Sequence, residues 1–321
     1  MIAREGLPFQ AIHGGGVHGV GGRLFWVNAF NLVRGFVEAL AIVRRFQPQA
    51  VLVTGGYLTA PVALAAWVSQ IPILMYLPDI EPGLAIKLLA RLARTIAVTV
   101  DDSRKYFDAR KVVVTGYPTR PELSNTSREP ALAQFGLDPA RRTILVTGGS
   151  RGARNINRAV FAVLVDWLKD FQVIHLSGQL DWVEAEQARE ALPTNLRAHY
   201  HAFPYLHDMG PALAAADVVV SRAGASALGE YPLFGLPAIL IPYPYAWRYQ
   251  KVNADYLVKR GAAIRMNDEN LAAQLAPIVR GLLMDDERLA RMRAASKAAA
   301  TPEAARKIAS EWVALAGGVR P

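Results

Sequence analysis

The sequence predicts an α/β protein of two domains, each built around a parallel sheet. Short apolar and β-branched segments alternate with longer amphipathic segments, an order typical of parallel strands covered by helices on both faces. The chain has 321 residues, enough for about two domains of ordinary size. Apolar residues make up 52% of it, so two packed cores are possible, and a disordered or fibrous protein is excluded.

The apolar pattern places these elements along the whole chain. Strands are predicted at residues 50–54, 72–77, 96–100, 111–115, 143–147, 173–176, 218–221 and 238–241. Helices are predicted at residues 24–46, 60–69, 83–93, from 153 onward and at 302–316. Residues 121–139 are rich in Pro, Ser, Asn and Thr, and we predict that they form the linker between the domains.

The stretch between Arg45 and Asp79 contains no charged residue. A membrane-spanning helix needs about 20 consecutive apolar residues, whereas Gly55, Pro61 and Pro72 interrupt this stretch. We therefore predict a strand, a buried helix and a second strand here instead of a span.

Charge and cysteine content exclude several classes of function. The 36 basic and 27 acidic residues give a formal net charge of +9, spread along the chain without a basic tail. A nucleic-acid-binding arm is therefore not expected, and a diffuse basic surface suits anionic substrates or an anionic membrane. The absence of cysteine excludes disulfides, a thiolate zinc site and a cysteine nucleophile.

A glycine-rich turn follows the strand predicted at residues 143–147. It reads Gly148-Gly149-Ser150-Arg151-Gly152-Ala153 and leads into a helix, so backbone N–H groups at the positive end of that helix face outward. This geometry suits a phosphate or diphosphate. The alternative is an ordinary strand–helix turn whose glycines allow tight packing.

A second turn of small residues runs from Ser221 to Glu230. Its carboxylate could accept hydrogen bonds from ribose hydroxyls, as in dinucleotide sites, or it could be a solvated residue on a helix face. Two such turns in one half of the chain favour nucleotide binding. Neither has the Gly-x-Gly-x-x-Gly spacing, so an NAD-linked enzyme is the weaker interpretation.

A third segment, residues 242–254, combines two prolines with aromatic and amide side chains. Such groups stack on sugars and form hydrogen bonds with them, and the alternative is a packed loop.

Taken together, these segments resemble the MurG family of peptidoglycan glycosyltransferases. The resemblance covers most of the chain and includes Gly55-Gly56-Tyr57, Pro82-Gly83-Leu84, Gly116–Arg120, Gly148–Ala153, Arg222–Glu230 and Arg248–Ala254. It implies a GT-B fold, in which two Rossmann-like domains face a cleft. It also implies an inverting, metal-independent transfer of N-acetylglucosamine from its UDP form to undecaprenyl-diphospho-muramoylpentapeptide. The resemblance assigns residues 1–122 to an acceptor-binding, membrane-facing domain, residues 123–300 to a donor-binding domain, and residues 301–321 to a helix that packs back on the first domain.

The resemblance also implies roles for individual residues. The substrate-binding positions it gives are Arg120, Ser150, Leu206, Ser226, Glu230 and Gln250. Ser150 and Arg120 would lie near the donor diphosphate, and Glu230 would hold the ribose. Leu206 would pack on uracil, and Gln250 would recognise the sugar ring. No cofactor and no metal are expected, and the partners would be a UDP-sugar and a lipid-linked acceptor at the inner face of the cell membrane, with no nucleic acid.

Three departures from the family pattern bear on activity. Tyr249 replaces the first of two paired glutamines, which affects sugar selectivity. Asp79 replaces an asparagine in the segment Tyr76–Asp79 and could act as the base. His18 lies in a glycine-rich segment that is similar to the family turn carrying the presumed base, but its position aligns with a later glycine-rich loop. Asp79 and His18 are the two candidate catalytic residues.

The family opens with a strand and a Gly-Gly-Thr-Gly-Gly-His turn, and we expect that this chain begins after that unit, leaving the N-terminal domain incomplete. Two explanations are open: an internal methionine has been taken as the start, or the enzyme has diverged and uses Asp79. The gene sequence upstream of Met1 would distinguish them.

Residues 22–34 place aromatic and leucine side chains among arginines. This pattern predicts either a surface that lies on a membrane or a helix that faces the core. The function predicted overall is therefore a MurG-like glycosyltransferase. The alternatives are a UDP-sugar-binding protein with little activity and a related GT-B enzyme that acts on another lipid.

Overall fold

A computed structural model describes residues 6–16, 21–56, 59–149, 152–245 and 249–317. The chain forms two compact units. Unit 1 combines the described residues up to Thr115 with those from Ala305 onward, and unit 2 is Gly116–Ala304.

Unit 1 begins with seven regular elements. In chain order they are α1 (Gly22–Phe46), β1 (Val51–Val53), α2 (Thr59–Val68), β2 (Ile73–Leu77), α3 (Leu84–Leu89), β3 (Thr95–Val98) and β4 (Val112–Val114). The described strands pair in parallel in the order β1-β2-β3-β4. The uncharged stretch before Asp79 therefore contains the predicted strand, helix and strand, and all five residues of β2 are buried.

The N-terminal helix α1 has two differently packed halves. Toward its C-terminal end, Ala39 and Val43 are buried and pack against Ala65 of α2. Toward its N-terminal end, Trp26 and Phe30 are 73% and 67% exposed. The C-terminal half of α1 therefore packs against the core, whereas its N-terminal half exposes large apolar side chains. Among the described residues, α1 is the one helix whose length and apolar composition would allow it to cross a membrane. Of its most apolar stretch of 18 residues, 17% is buried.

Unit 2 contains the longer run of alternating elements. They are α4 (Arg128–Phe135), β5 (Arg142–Thr147), α5 (Arg154–Asp170), β6 (Phe171–Leu176), α6 (Trp182–Glu190), α7 (Thr194–Arg197), β7 (Tyr200–Phe203), α8 (Gly210–Ala215), β8 (Val218–Ser221), α9 (Glu230–Phe234), β9 (Ala238–Leu240), α10 (Tyr249–Lys259), β10 (Ala263–Arg265), α11 (Leu271–Leu283) and α12 (Asp286–Ala298).

Helix α5 shows why these segments are helical. Its side chains Ile156, Val160, Leu164 and Trp167 recur at helical spacing, and each is at most 1% exposed.

The sheet of unit 2 is parallel throughout its described strands and has the order β10-β9-β8-β5-β6-β7. The chain runs outward from β5 through β6 to β7 and then returns to β8 on the other side of β5. The boundary between β5 and β8 is therefore the point where the strand order reverses. In open parallel sheets, ligands bind outside the carboxyl ends of the strands at this point.

Three features of unit 2 differ from the sequence interpretation. Residues 121–139, predicted as a linker, contain a 3₁₀ turn at Pro121–Asn125 and helix α4. Helix α4 packs on α8 and buries Ala131 and Leu132, which is why it is ordered structure despite its polar composition. Strands β7 and β10 were not predicted.

The last helix, α13 (Ala304–Leu315), follows unit 2 in the chain and packs in unit 1. Ile308 of α13 is 7% exposed and forms one apolar cluster with Leu74 and Tyr76 of β2 and Ala97 of β3. This face of the first sheet is therefore covered by residues that come about 200 positions later in the chain.

Candidate functional site

A cavity of about 710 Å³ lies within unit 2 at the carboxyl ends of its strands. It is lined by the residues that follow β5, β6, β7 and β8, together with Arg120 and Gln250. It therefore lies at the point where the strand order reverses, and its volume is ordinary for a small-molecule site.

The glycine-rich turn after β5 forms one wall of the cavity. Gly148 and Gly149 line it directly. Gly152 has φ +78°, and a Cβ atom at this position would lie 2.2 Å from the carbonyl oxygen of Ser177, so only glycine fits. Ala153 stands at the N-cap of α5 and has no side-chain oxygen to cap the first turn. This arrangement leaves the positive end of α5 available to an anion.

Glu230 contributes a carboxylate to the lining of the cavity. It begins α9, one residue after Gly229, where a Cβ atom would lie 2.5 Å from the ring of Tyr117. Burial raises the pKa of Glu230 above the usual range for a glutamate, and the nearby positive charge of Arg120 opposes part of that rise. A half-buried carboxylate in a pocket of this kind is suited to accepting hydrogen bonds from ligand hydroxyls.

Arg120 and the loop after β7 form the third side of the cavity. Nη1 of Arg120 donates a hydrogen bond to the carbonyl oxygen of His207 at 3.4 Å. Leu206 is half-buried in the same loop and lines the cavity. This side therefore presents an apolar surface beside a positive charge, a combination that suits a base attached to a phosphorylated sugar.

A largely buried ion pair lies where the cavity meets the end of β8. Nη1 of Arg222 lies 2.5 Å from Oδ1 of Asp268, and each side chain is 11% exposed. Nη1 also donates to the carbonyl oxygen of Ile241 at 3.3 Å, and the guanidinium carbon lies 5.3 Å from the centre of the Tyr243 ring. The backbone N–H of Tyr243 donates to Oε1 of Gln250 at 2.8 Å.

A buried polar network supports the glycine-rich turn from behind. The Nδ2 group of Asn157 donates to the carbonyl oxygen of Ser177 and to Oδ2 of Asp181, both at 2.8 Å. The amide oxygen of Asn157 therefore faces Nε2 of His175 at 3.0 Å, so Nε2 carries the proton. Nδ1 of His175 then accepts from the hydroxyl of Tyr200 at 2.9 Å. Burial lowers the pKa of His175 to about 3, so the ring is neutral in this network.

The structure brings most of the predicted binding residues together and leaves others apart or undescribed. Arg120, Leu206, Ser226, Glu230 and Gln250 all line the cavity of unit 2. Ser150 and His18 lie outside the described residues.

The other candidate base, Asp79, belongs to unit 1. It follows β2 after Pro78, at the carboxyl edge of that sheet, and is half-buried.

Two cavity-related residues were not identified from the sequence. Arg222 was noted only as part of a small-residue turn, and Asp268 was not noted at all. Asp268 follows β10, a three-residue strand with no clear apolar pattern, so the sequence contains no signal that places this carboxylate beside the cavity.

Within the described part of the chain, no group of three or more His, Asp or Glu side chains is arranged to hold a metal ion. Metal independence itself remains a prediction.

Comparison with known proteins identifies the class. Residues 143–308 match the glycosyltransferase family 28 C-terminal domain, and residues 1–98 match the glycosyltransferase family 28 N-terminal domain. A solved structure of Acinetobacter baumannii MurG has a TM-score of 0.73 at 22% identity, covering 97% of this chain and 86% of that one. The fold is therefore that of a GT-B glycosyltransferase, with two α/β units that each contain a parallel sheet.

Closer relatives identify the family. The UDP-N-acetylglucosamine--N-acetylmuramyl-(pentapeptide) pyrophosphoryl-undecaprenol N-acetylglucosamine transferase of Roseiflexus sp. (strain RS-1) is 41% identical, over 96% of this chain and 79% of the relative. The protein of the same name from Desulforamulus reducens is 37% identical, over 95% of this chain and 84% of the relative. This chain belongs to the MurG family of glycosyltransferases, which confirms the predicted family and fold class.

Proposed function

We propose that this protein transfers N-acetylglucosamine from UDP-N-acetylglucosamine to a lipid-linked muramoyl-pentapeptide acceptor, with inversion at the anomeric carbon. The observation that carries the proposal is the cavity of unit 2, where the glycine-rich turn before α5, a half-buried carboxylate and an amide line one space at the sheet's reversal point. The names of the relatives supply the donor and the acceptor.

The donor would bind with its diphosphate at the N-terminus of α5. Backbone N–H groups there and the guanidinium of Arg120 supply positive potential, which would stabilise UDP as it leaves. Glu230 would accept hydrogen bonds from the ribose hydroxyls, and Leu206 would pack against uracil. Gln250 would recognise the sugar: its Oε1 is already used by Tyr243, so its Nε2 group is the one left to donate to the ligand.

Because these groups would offset the negative charge of the leaving diphosphate, we propose that the transfer needs no metal ion. Activity should then be the same after dialysis against EDTA as before it. Loss of activity that Mg²⁺ restores would contradict this part of the proposal.

The acceptor hydroxyl must lose a proton during the transfer. Asp79 is the described residue we propose as the base, since it lies at the carboxyl edge of a parallel sheet, where ligands usually bind. His18 is the alternative, and comparing Asp79→Asn with His18→Gln would distinguish them. The variant that loses kcat by roughly a hundredfold or more, without losing affinity for UDP, identifies the base.

We also propose that the exposed half of α1 lies on the membrane surface. Its exposed aromatic side chains point away from the core, and Arg23 and Arg34 lie on the same helix. This arrangement is typical of a helix at the lipid interface. It would bring unit 1 to the lipid of the acceptor.

The deciding experiment measures UDP release from UDP-N-acetylglucosamine with and without a lipid-linked muramoyl-pentapeptide in detergent. Release that depends on the acceptor, together with formation of the disaccharide lipid, is the expected result. Binding of UDP-N-acetylglucosamine without turnover would support the alternative of a UDP-sugar-binding protein. Turnover with a different lipid only would identify a related GT-B enzyme.

A further inference from the structure

The carboxylate of Asp268 connects two parts of the donor cavity. Its Oδ1 lies 2.5 Å from Nη1 of Arg222, which lines the cavity after β8. Its Oδ2 accepts a hydrogen bond at 2.6 Å from Nδ2 of Asn155, in the first turn of α5. One largely buried carboxylate therefore contacts both a cavity cation and the start of the helix that follows the glycine-rich turn.

Arg222 in turn contacts the first residues of the loop between β9 and α10. Nη1 of Arg222 donates to the carbonyl oxygens of Ile241 at 3.3 Å and Pro242 at 3.5 Å. The guanidinium also lies against the ring of Tyr243, with 5.3 Å between the guanidinium carbon and the ring centre. A lysine could not make these contacts together, since they use the flat, forked shape of the guanidinium.

Tyr243 in turn forms a hydrogen bond with Gln250. Its backbone N–H donates to Oε1 of Gln250 at 2.8 Å, which fixes the direction of the amide at the cavity wall. The chain of contacts therefore runs from Asp268 through Arg222 and Tyr243 to Gln250. Of these four residues, Asp268 is the one that does not line the cavity or belong to the loop.

We propose that Asp268 is a positioning residue for donor-sugar recognition, acting through Arg222 on residues 241–243, which contact Gln250. This inference rests on the proposed function, because it assumes that the sugar of a UDP-sugar occupies this end of the cavity. Leu206 and Glu230 line the cavity through other loops, and an asparagine at position 268 keeps an oxygen that can accept from Asn155. Recognition of UDP should therefore depend on the charge of Asp268 less than recognition of the sugar does.

The test compares Asp268→Asn with Asp255→Asn. Asp255 makes an ion pair of the same length with Arg265, 2.5 Å, in the same unit but outside the cavity, and is a matched control. For Asp268→Asn we expect KM for UDP-N-acetylglucosamine to rise about tenfold with a smaller change in kcat. We expect affinity for UDP alone to change by less than about threefold, and the preference over the C4 epimer of the donor sugar to fall about tenfold. Asp255→Asn should match the wild type in all of these measurements.

The outcomes separate the inference from the proposed function. If the wild type neither binds nor turns over UDP-N-acetylglucosamine, the proposed function fails. If the wild type is active and Asp268→Asn behaves like Asp255→Asn, or loses UDP and UDP-sugar affinity equally, the positioning role is wrong. Should Asp268→Asn not fold, Asp268→Glu provides the test: the carboxylate is kept but displaced by a methylene, so the same selective loss is expected at smaller size, and wild-type selectivity would overturn the proposal.

Discussion

Glu230 combines two properties at the scale of a single residue. It is an acid whose pKa is raised by burial, and it lines a cavity where a ligand with hydroxyl groups is proposed to bind. Only the ionised carboxylate is purely an acceptor. Its binding role is therefore lost at a higher pH than that of an ordinary glutamate.

We predict that UDP binds more weakly as the pH falls toward the raised pKa of Glu230. Protonation converts one acceptor oxygen into a donor, and Glu230→Gln should mimic that state. The variant should lose about tenfold to a hundredfold in affinity at neutral pH, about 1.5–3 kcal/mol for hydrogen bonds to a charged group. Calorimetric titration with UDP between pH 5 and 8 measures both effects. Glu184→Gln, which removes a carboxylate on α6, is the control, and equal losses in the two variants would contradict the assignment.

His175 yields a prediction about stability. Its folded-state pKa is lowered to about 3, below the ordinary value of 6.5, so between these pH values the unfolded chain binds the proton that the folded chain does not. The stability present above pH 6.5 is therefore lost progressively as the pH falls. Between pH 6.5 and 5 this amounts to about 1.6 kcal/mol from this one group.

Urea unfolding at several pH values measures this effect. His175→Gln should be less stable than the wild type at pH 7, because it disturbs the hydrogen bonds to Asn157 and Tyr200. Its stability should fall less steeply between pH 6.5 and 5. A parallel decline in the two proteins would show that other groups cause the pH dependence.

At the scale of elements, the turn before α5 depends on glycine at position 152. Gly152→Ala would place a Cβ atom at a φ of +78° and 2.2 Å from the carbonyl oxygen of Ser177. We predict a loss of about 1–3 kcal/mol in unfolding free energy and weaker UDP binding, since the turn must move.

The matched control is Gly281→Ala in α11, where the added methyl group meets open space. That change should raise stability by about 0.5–1 kcal/mol and leave UDP affinity unaltered. Thermal unfolding and calorimetry measure both variants. If Gly152→Ala binds UDP like the wild type, the turn does not form part of the donor site.

The central strands of unit 2 could be predicted from the sequence, and its edge strands could not. Residues 143–147 and 218–221 coincide closely with β5 and β8, which are buried and pair with neighbours on both sides. Strands β7 and β10 are the two edges of the sheet, each partly exposed, so their residues lack a continuous apolar run. Asp268 could not be identified as a site residue from the sequence for the same reason, because a side chain that follows an unrecognised strand cannot be placed at the sheet edge. The glycine-rich turn and Glu230 were identified from the residue pattern where a strand gives way to a helix, whereas the roles of Arg120, Leu206, Ser226 and Gln250 came from the family resemblance.

At the scale of the whole molecule, the net charge of +9 and the exposed half of α1 lead to a prediction about vesicle binding. Trp26→Ser combined with Phe30→Ser should weaken binding to anionic vesicles about tenfold or more, since each aromatic side chain contributes roughly 1.5–3 kcal/mol when buried in an apolar phase. The fold should be unaffected, because both side chains are mostly exposed.

Co-sedimentation with vesicles of anionic and of neutral lipid measures this binding. Leu180→Ser with Val183→Ser, which removes two exposed apolar side chains of unit 2, is the control and should bind like the wild type. If both double variants lose the same amount, α1 is not the membrane-facing surface.

The return of α13 to unit 1 has a consequence for how the protein is made. Unit 2 is continuous in sequence, whereas unit 1 needs a helix that is synthesised after unit 2. The apolar face formed by Leu74, Tyr76 and Ala97 stays uncovered until synthesis has passed Ile308. Unit 2 can therefore finish folding before unit 1, although its residues are made later than most of unit 1. During that interval the nascent unit 1 presents a face to which chaperones can bind, and a premature stop before α13 should impair unit 1 while leaving unit 2 folded.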